Sequence, residues 1–249
     1  MRSSLLASAL IASTACAASP RERRVDACTL GLCTGLRGSG VIHTESRPVT
    51  EFNEVDVGGG FELVLRSGAP SLTLEGDDNL LPLYRSEVKD GCLHLHLREH
   101  EGLSPSRSMR VTVTTPRLRR VAASGGVDIT FAGATDSRLS LDLSGGVTVK
   151  AASLDLEALE VDASGGVVLE LGGRAQRAAL DLSGGVEVSA RPLNTGTLNV
   201  DASGGCELDL AASDALSVDA SGGVEVTVHG HPAQRQVSTS GAAAVRFLD

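Results

Sequence analysis

The stretch "LEVDASGGVVLEL" (159–171) decides the fold, because its parts recur along the second half of the chain. "LDLSGG" stands at 141–146 and 180–185, and "VDASGG" at 161–166, 200–205 and 218–223. The marker serines are Ser124, Ser144, Ser164, Ser183, Ser203, Ser221 and Ser240, spaced 18 to 20 residues apart. A sustained period of this length is the mark of a solenoid, in which each repeat contributes one layer.

Each copy has the same internal order. Before the serine, apolar and polar residues alternate, as in a half-buried strand. The inward column reads Leu139/Leu141/Leu143, Leu159/Val161/Ala163, Ala178/Leu180/Leu182, Leu198/Val200/Ala202 and Leu216/Val218/Ala220. After the glycines a second strand starts, as in "VTVK", "VEVS" and "CELD". A variable stretch then returns the chain. "LDL" (154–156) reads as a third strand there, and "RPLNTG" (191–196) as a turn. Two or three short strands per period of about 20 residues, with no helical periodicity, predict an all-β fold. The expected architecture is a right-handed parallel β-helix, the hand following from the crossover rule.

Composition agrees. The chain has 249 residues with 29 Gly, no Trp, one Tyr and four Phe. Aromatic side chains bury the most area per residue. A core without them must be thin and made of Val, Leu, Ile and Ala, as a solenoid interior is. The formal net charge is −9, and the only lysines are Lys89 and Lys150. With no basic block to neutralise phosphates, the sequence predicts no nucleic-acid partner and no attraction to anionic membranes.

The N-terminus reads as an export signal over 1–17: Arg2, an apolar "LLASALIA" (5–12), then small residues. Two cleavages fit. One leaves Cys16 as a lipid-bearing first residue, although Ser13 stands where a lipobox prefers Leu. The other cuts after Ala17. The expected location is outer membrane lipoprotein, periplasm or extracellular space, with membrane contact only through a lipid. Export permits disulfides. Cys28 and Cys33, in the Gly-containing leader 18–40, are the pairing candidates; pairing of one with Cys92, or none, is the alternative. Cys206 takes the valine slot of the repeat and reads as a small buried hydrophobe.

Residues 41–249 read as one domain: irregular N-terminal coils and a cap over 41–115, then regular repeats over 116–249. "VDVGGGFELVL" (55–65) reads as a diverged earlier copy, with Gly58 and Gly59 near the corner. Several blocks in order then carry a family resemblance: "GSGVIHTESRPVTEFNEVDVGGGFELVLRSG" (38–68), "LEGDDNLLP" (74–82), "VKDGCLHLHL" (88–97) and "VTVTTPRLRRVAASGG" (111–126), followed by the "SGG" series. Residues 38–249 resemble the head GIN domain family, described as a "putative auto-transporter adhesin". The resemblance implies a right-handed β-helix exported to the envelope, and it brings no residues of defined chemical role. This chain has Gly-Gly-Val after the serine, where the family commonly turns on a Gly-Ala-Ser type of corner.

A serine nucleophile sits in G-x-S-x-G and needs a base and an orienting group. Here the word is D-x-S-G-G, repeated with no unique copy. Ser124, Ser144, Ser164, Ser183, Ser203, Ser221 and Ser240 are therefore structural corners, and no catalytic residue, cofactor or metal is assigned. Asp142, Asp162, Asp181, Asp201 and Asp219 share one register and would form a ladder of like charge. Three outcomes follow from such a ladder: solvent screening, shared protons, or bridging calcium. A second acidic column is expected at Asp128, Glu187, Glu207 and Glu225. In "CLHLHLREH" (92–100), Cys92, His94 and His96 share one strand face. One strand rarely completes a metal site, so the expectation is a solvated face. "EGDDN" (75–79) reads as a polar turn.

The functional expectation is an exported, non-enzymatic envelope protein, an adhesin or interaction module with a protein or glycan surface ligand. Two alternatives stand beside it. One is a polysaccharide lyase or hydrolase of the β-helix type, which would want aromatic sugar platforms that this sequence lacks. The other is a structural envelope protein that self-associates through a terminal coil edge.

Overall fold

A computed structural model of the chain describes residues 36–98, 102–133 and 135–248. Cys16, Cys28, Cys33 and the signal segment lie outside the described residues. Nearly every described segment is strand, and among the described residues the only helix is a single 3-10 turn at Leu81–Leu83. The architecture is a parallel β-solenoid.

Its regular part stacks coil on coil, in continuous register through the strand before each corner and with one shift between Ala151 and Leu154. Leu139, Leu141 and Leu143 pair with Leu159, Val161 and Ala163, and these with Ala178, Leu180 and Leu182. The column continues through Leu198, Val200 and Ala202 to Leu216, Val218 and Ala220. All of these side chains are buried. A second wall follows the corner: Val149, Leu169, Val188, Leu208 and Val226. Each fully buried Val or Leu contributes roughly 1.5–3 kcal/mol, so the core is built by repetition of modest side chains.

The third wall departs from expectation at one place. Only Arg191 and Pro192 turn, whereas Leu193–Gly204 is strand. Leu193 and Thr195 stack below Gly173 and Ala175 and are buried. Pro192 supplies the bend because it lacks the N–H a ladder needs. Leu193 and Thr195 then resume the period-2 pattern.

The N-terminal end is threaded out of sequence order. The strand Glu54–Ser67 does carry a corner, since Gly58, Gly59 and Gly60 register with Ser124, Gly125 and Gly126. On its other side it pairs with Cys92–Leu97 and then Met109–Thr115. The coil 54–67 is thus held between later parts of the chain on both sides. Beyond it the pairing turns antiparallel: Ser71–Asp77 lies on Met109–Thr115, Ile42–Arg47 on Ser71–Asp77, and Tyr84–Lys89 on Cys92–Leu97. Antiparallel strands close the stack and shield the edge that a parallel ladder leaves open.

Three of the five aromatic residues gather at this capped end, whereas Phe247 lies on the final strand. Phe52, Phe61 and Tyr84 are buried there, with Phe61 and Tyr84 edge to face at 6.0 Å. Arg47 ties the cap together, its guanidinium donating to the Tyr84 carbonyl at 2.7 Å and the Leu81 carbonyl at 2.9 Å. "EGDDN" is more than a polar turn, because Asp77 is buried. Its carboxylate accepts from the Gly40 N–H at 2.8 Å, the Ser106 N–H at 2.8 Å and the Ser106 hydroxyl at 2.6 Å. Buried carboxylates require such donors, and this one pins two loops to the sheet.

Candidate functional site on the corner face

The corner is made by glycine and backbone. Gly165 has φ +100°, and a Cβ there would lie 2.8 Å from the Gly145 carbonyl oxygen. Only glycine accepts both conditions. The next N–H, of Gly166, donates to that same Gly145 carbonyl at 2.9 Å, and Gly185 repeats the bond to Gly165. These corner hydrogen bonds run backbone to backbone from coil to coil, and at one corner the Cys206 thiol adds a contact to the Ser203 and Gly184 carbonyl oxygens. The corner serines lie at the surface, from half-buried to exposed.

The seven serines form one column from Ser124 to Ser240, and Gly58 continues it to His96. Two residues earlier runs the carboxylate column. Asp142, Asp162, Asp181, Asp201 and Asp219 are directly opposed in successive coils. Ala122 interrupts the column, and Asp56 resumes it on the far side. Asp56 is the member that sequence reading missed. Its signal was present, since "VDVGG" (55–59) is the repeat word with glycine for serine.

Arg120 covers the interruption. Its Nε lies 2.5 Å from Asp142 Oδ2, and its Nη1 lies 3.8 Å from Glu54 Oε2. A shallow groove of about 440 Å³ follows the column from Asp56 to Asp181. In its middle, lost solvation pushes the Asp162 carboxyl up from the usual range, with Asp142, Asp181 and Glu160 adding to the shift. Like charges stacked at strand spacing disfavour ionisation. The second acidic column is shorter than expected. Glu187, Glu207 and Glu225 are continuous, but Thr148 and Val168 separate them from Asp128.

At the capped end the column meets the histidines. Cys92, His94 and His96 do share one face, with Leu93 and Leu95 buried behind them. Register places Glu54 beside Cys92, Asp56 beside His94 and Gly58 beside His96. His94 Nδ1 is 3.1 Å and His96 Nε2 3.5 Å from the same oxygen, Asp56 Oδ2. Gly58 makes room for this. A Cβ on it would lie 2.8 Å from His96 Nδ1 and 3.2 Å from Ser124 Oγ. Cys92 is a free thiol, as is the buried Cys206. Burial pushes the Cys92 thiol up, and Asp56 and Glu54 reinforce it. Elsewhere, His229 Nε2 lies 2.7 Å from Asp209 Oδ1 across adjacent coils. A separate, mainly apolar cavity of about 370 Å³ lies under the cap, lined by Leu81, Tyr84, Leu97, Leu103 and Met109 with Arg107 among them. No helix among the described residues is long and apolar enough to cross a membrane.

A parallel solenoid closed by antiparallel strands, with a repeated polar corner face, defines a class of capped β-solenoid domain. The family described as "Putative auto-transporter adhesin, head GIN domain" matches residues 51–232, and the chain belongs to that family. Solved structures share the fold. A "putative adhesin" from Bacteroides fragilis is similar with a TM-score of 0.81 at 24% identity, over 86% of this chain and 100% of that one. A "putative lipid binding protein" from Parabacteroides distasonis gives 0.68 at 14% identity, over 86% and 99%. A "putative adhesin" from Parabacteroides merdae gives 0.61 at 18%, over 86% and 99%. No curated protein matches the chain.

Proposed function

We propose that this protein is an exported, non-enzymatic adhesion module of the cell envelope that binds a protein or glycan surface ligand through its corner face. The observation that carries the reading is the repeated column of outward carboxylates and serines, set in register on a rigid backbone. Identical groups at strand spacing of roughly 4.8 Å present a linear array, suited to an extended ligand that repeats along its own length. Membership of a family described as adhesin heads supports the same reading. Export rests on the N-terminal signal sequence, with Cys16 lipidated or the chain cut after Ala17. Residues 41–249 act as one domain on the leader 18–40.

The test is a glycan and extracellular-protein array probed with the full chain and with the triple variant D142N/D162N/D181N. Selective binding that the variant loses is the expected result. Turnover of an acidic polysaccharide by the full chain would overturn the non-enzymatic reading, and binding unchanged in the variant would overturn the corner face as its seat.

A specific observation favours self-association as a second reading. Val237, Phe247 and Leu248 are exposed on the last coil. Among the described residues, Gln234–Gly241 and Ala244–Leu248 pair on one side only, with Ala215–Gly222 and Glu225–His229. Sedimentation of the full chain against V237K/F247K reads this directly.

A further inference from the structure

We propose that Asp56, His94 and His96 form a binding site for a divalent transition-metal ion of the zinc class. One ligand atom from each of the three lies within 4.8 Å of the others. A tetrahedral ion with bonds of about 2.0–2.1 Å holds neighbouring ligand atoms roughly 3.3 Å apart. Two of the three edges already have that length, at 3.1 Å from His94 Nδ1 and 3.5 Å from His96 Nε2 to Asp56 Oδ2. The third edge, between the two imidazoles, is no longer than 4.8 Å.

The convergence on one oxygen is what an ordinary ion pair does not require. A single histidine would satisfy Asp56 as a hydrogen-bond partner. Two imidazoles tilted by 31° with centroids 6.2 Å apart are instead both aimed at it. The backbone beneath is fixed, because Glu54–Gly58 is paired to Cys92–His96 on one side and Arg120–Ser124 on the other. Ligands on rigid paired strands lose little freedom when an ion enters. Gly58 contributes by omission, since the serine that other coils carry here would occupy the space of the His96 ring. Arg120 is engaged by Asp142 and Glu54, which leaves Asp56 to the histidines.

The donor set selects the ion. Two imidazole nitrogens and one carboxylate suit zinc, cobalt, nickel or copper, whereas calcium takes six to eight oxygens. The three side chains are about one-third to one-half exposed. A bound ion therefore keeps at least one position open to water or to an oxygen or nitrogen of a ligand. The site stands apart from the adhesion reading and survives its failure.

The experiment uses the full chain stripped by a chelator. Cobalt(II) is added while visible absorption is followed, and zinc(II) binding is measured by calorimetry. One ion per chain is expected, with cobalt displaced by zinc and retained in a large excess of calcium. D56N and the pair H94Q/H96Q should each weaken binding at least tenfold, with metal-free melting curves confirming that they fold. Absence of cobalt absorption in the unsubstituted chain overturns the proposal. So does an affinity unchanged in D56N and H94Q/H96Q but lost in C28S/C33S, and so does displacement by calcium.

Discussion

Asp162 stands directly opposite Asp142 in one neighbouring coil and Asp181 in the other, so its carboxylate has a like charge on each side. Its pKa is raised, first by lost solvation and then by those neighbours. The folded state therefore holds the Asp162 proton more tightly than the unfolded chain does. Ionising it costs stability, fully so above the raised folded pKa, and the cost disappears as pH falls toward the ordinary value of 3.8. D162N should raise the melting temperature at pH 7. Directly opposed like charges cost roughly 0.2–1 kcal/mol, and in a domain of this size that is about 1–3 °C. Melting curves at pH 7 and at pH 3 check it, with the gain expected only at the higher pH. Added salt should shrink the gain, because screening at roughly 0.15 M extends over about 8 Å.

The two corner glycines should respond unequally to alanine. Gly165 has positive φ and a backbone oxygen 2.8 Å from its absent Cβ, whereas at Gly166 the nearest atom is Gly145 O at 4.0 Å. G165A should destabilise by about 1–3 kcal/mol, the usual cost of such backbone strain, and G166A should change little. Urea denaturation of both variants measures the difference. Equal effects would mean that neither the dihedral angle nor the close Gly145 oxygen governs the corner.

Much of this was legible in the sequence, for a specific physical reason. A parallel in-register stack repeats its environment in each layer, so Leu141, Val161, Leu180, Val200 and Val218 all report the same buried column. The threading of Glu54–Ser67 was not legible. Alternation tells which face a side chain occupies but not which strand lies beside it, and Gly58 meets Ser124 from far along the chain. The histidine site failed for the same reason. His94 and His96 were placed on one face correctly, yet the partner that converts them from a solvated face into a convergent site is Asp56, reached only through register. The acidic pattern past the corner misled because Asp128 and Glu187 look alike in the repeat while Thr148 and Val168 lie between them.

Asp77 should show the opposite pH behaviour to Asp162. The Ser106 hydroxyl, with the Ser106 and Gly40 N–H groups, holds its carboxyl below the usual range against the cost of burial. Its contribution is complete above the ordinary pKa of 3.8 and is lost as pH falls through the lower folded value. D77N removes the charge and leaves an amide nitrogen where an acceptor is needed. The amides of Gly40 and Ser106 should then exchange with solvent faster, while those of the regular coils keep their protection. Hydrogen exchange resolved by residue checks this. Uniform acceleration through the solenoid would show instead that Asp77 supports the whole stack.

The two described cysteines should differ in reactivity, and neither difference requires a disulfide. Cys206 occupies the column of Val186 and Val224 and is 2% exposed, with its Sγ 3.4 Å from the Ser203 carbonyl oxygen. C206V restores the residue of the neighbouring coils and should alter stability by less than about 1 kcal/mol, since the swap nearly conserves volume. C206D would bury an unpaired charge in an apolar column and should prevent folding. Cys92 is half-buried, but its raised pKa keeps the nucleophilic thiolate scarce at pH 7. Thiol titration of the folded chain should therefore modify Cys92 slowly, faster as pH rises, and leave Cys206 untouched until denaturant is added. D56N should speed the Cys92 reaction at fixed pH, because Asp56 is one of the charges that raise its pKa. An unchanged rate in D56N would assign the shift to burial and Glu54 without Asp56.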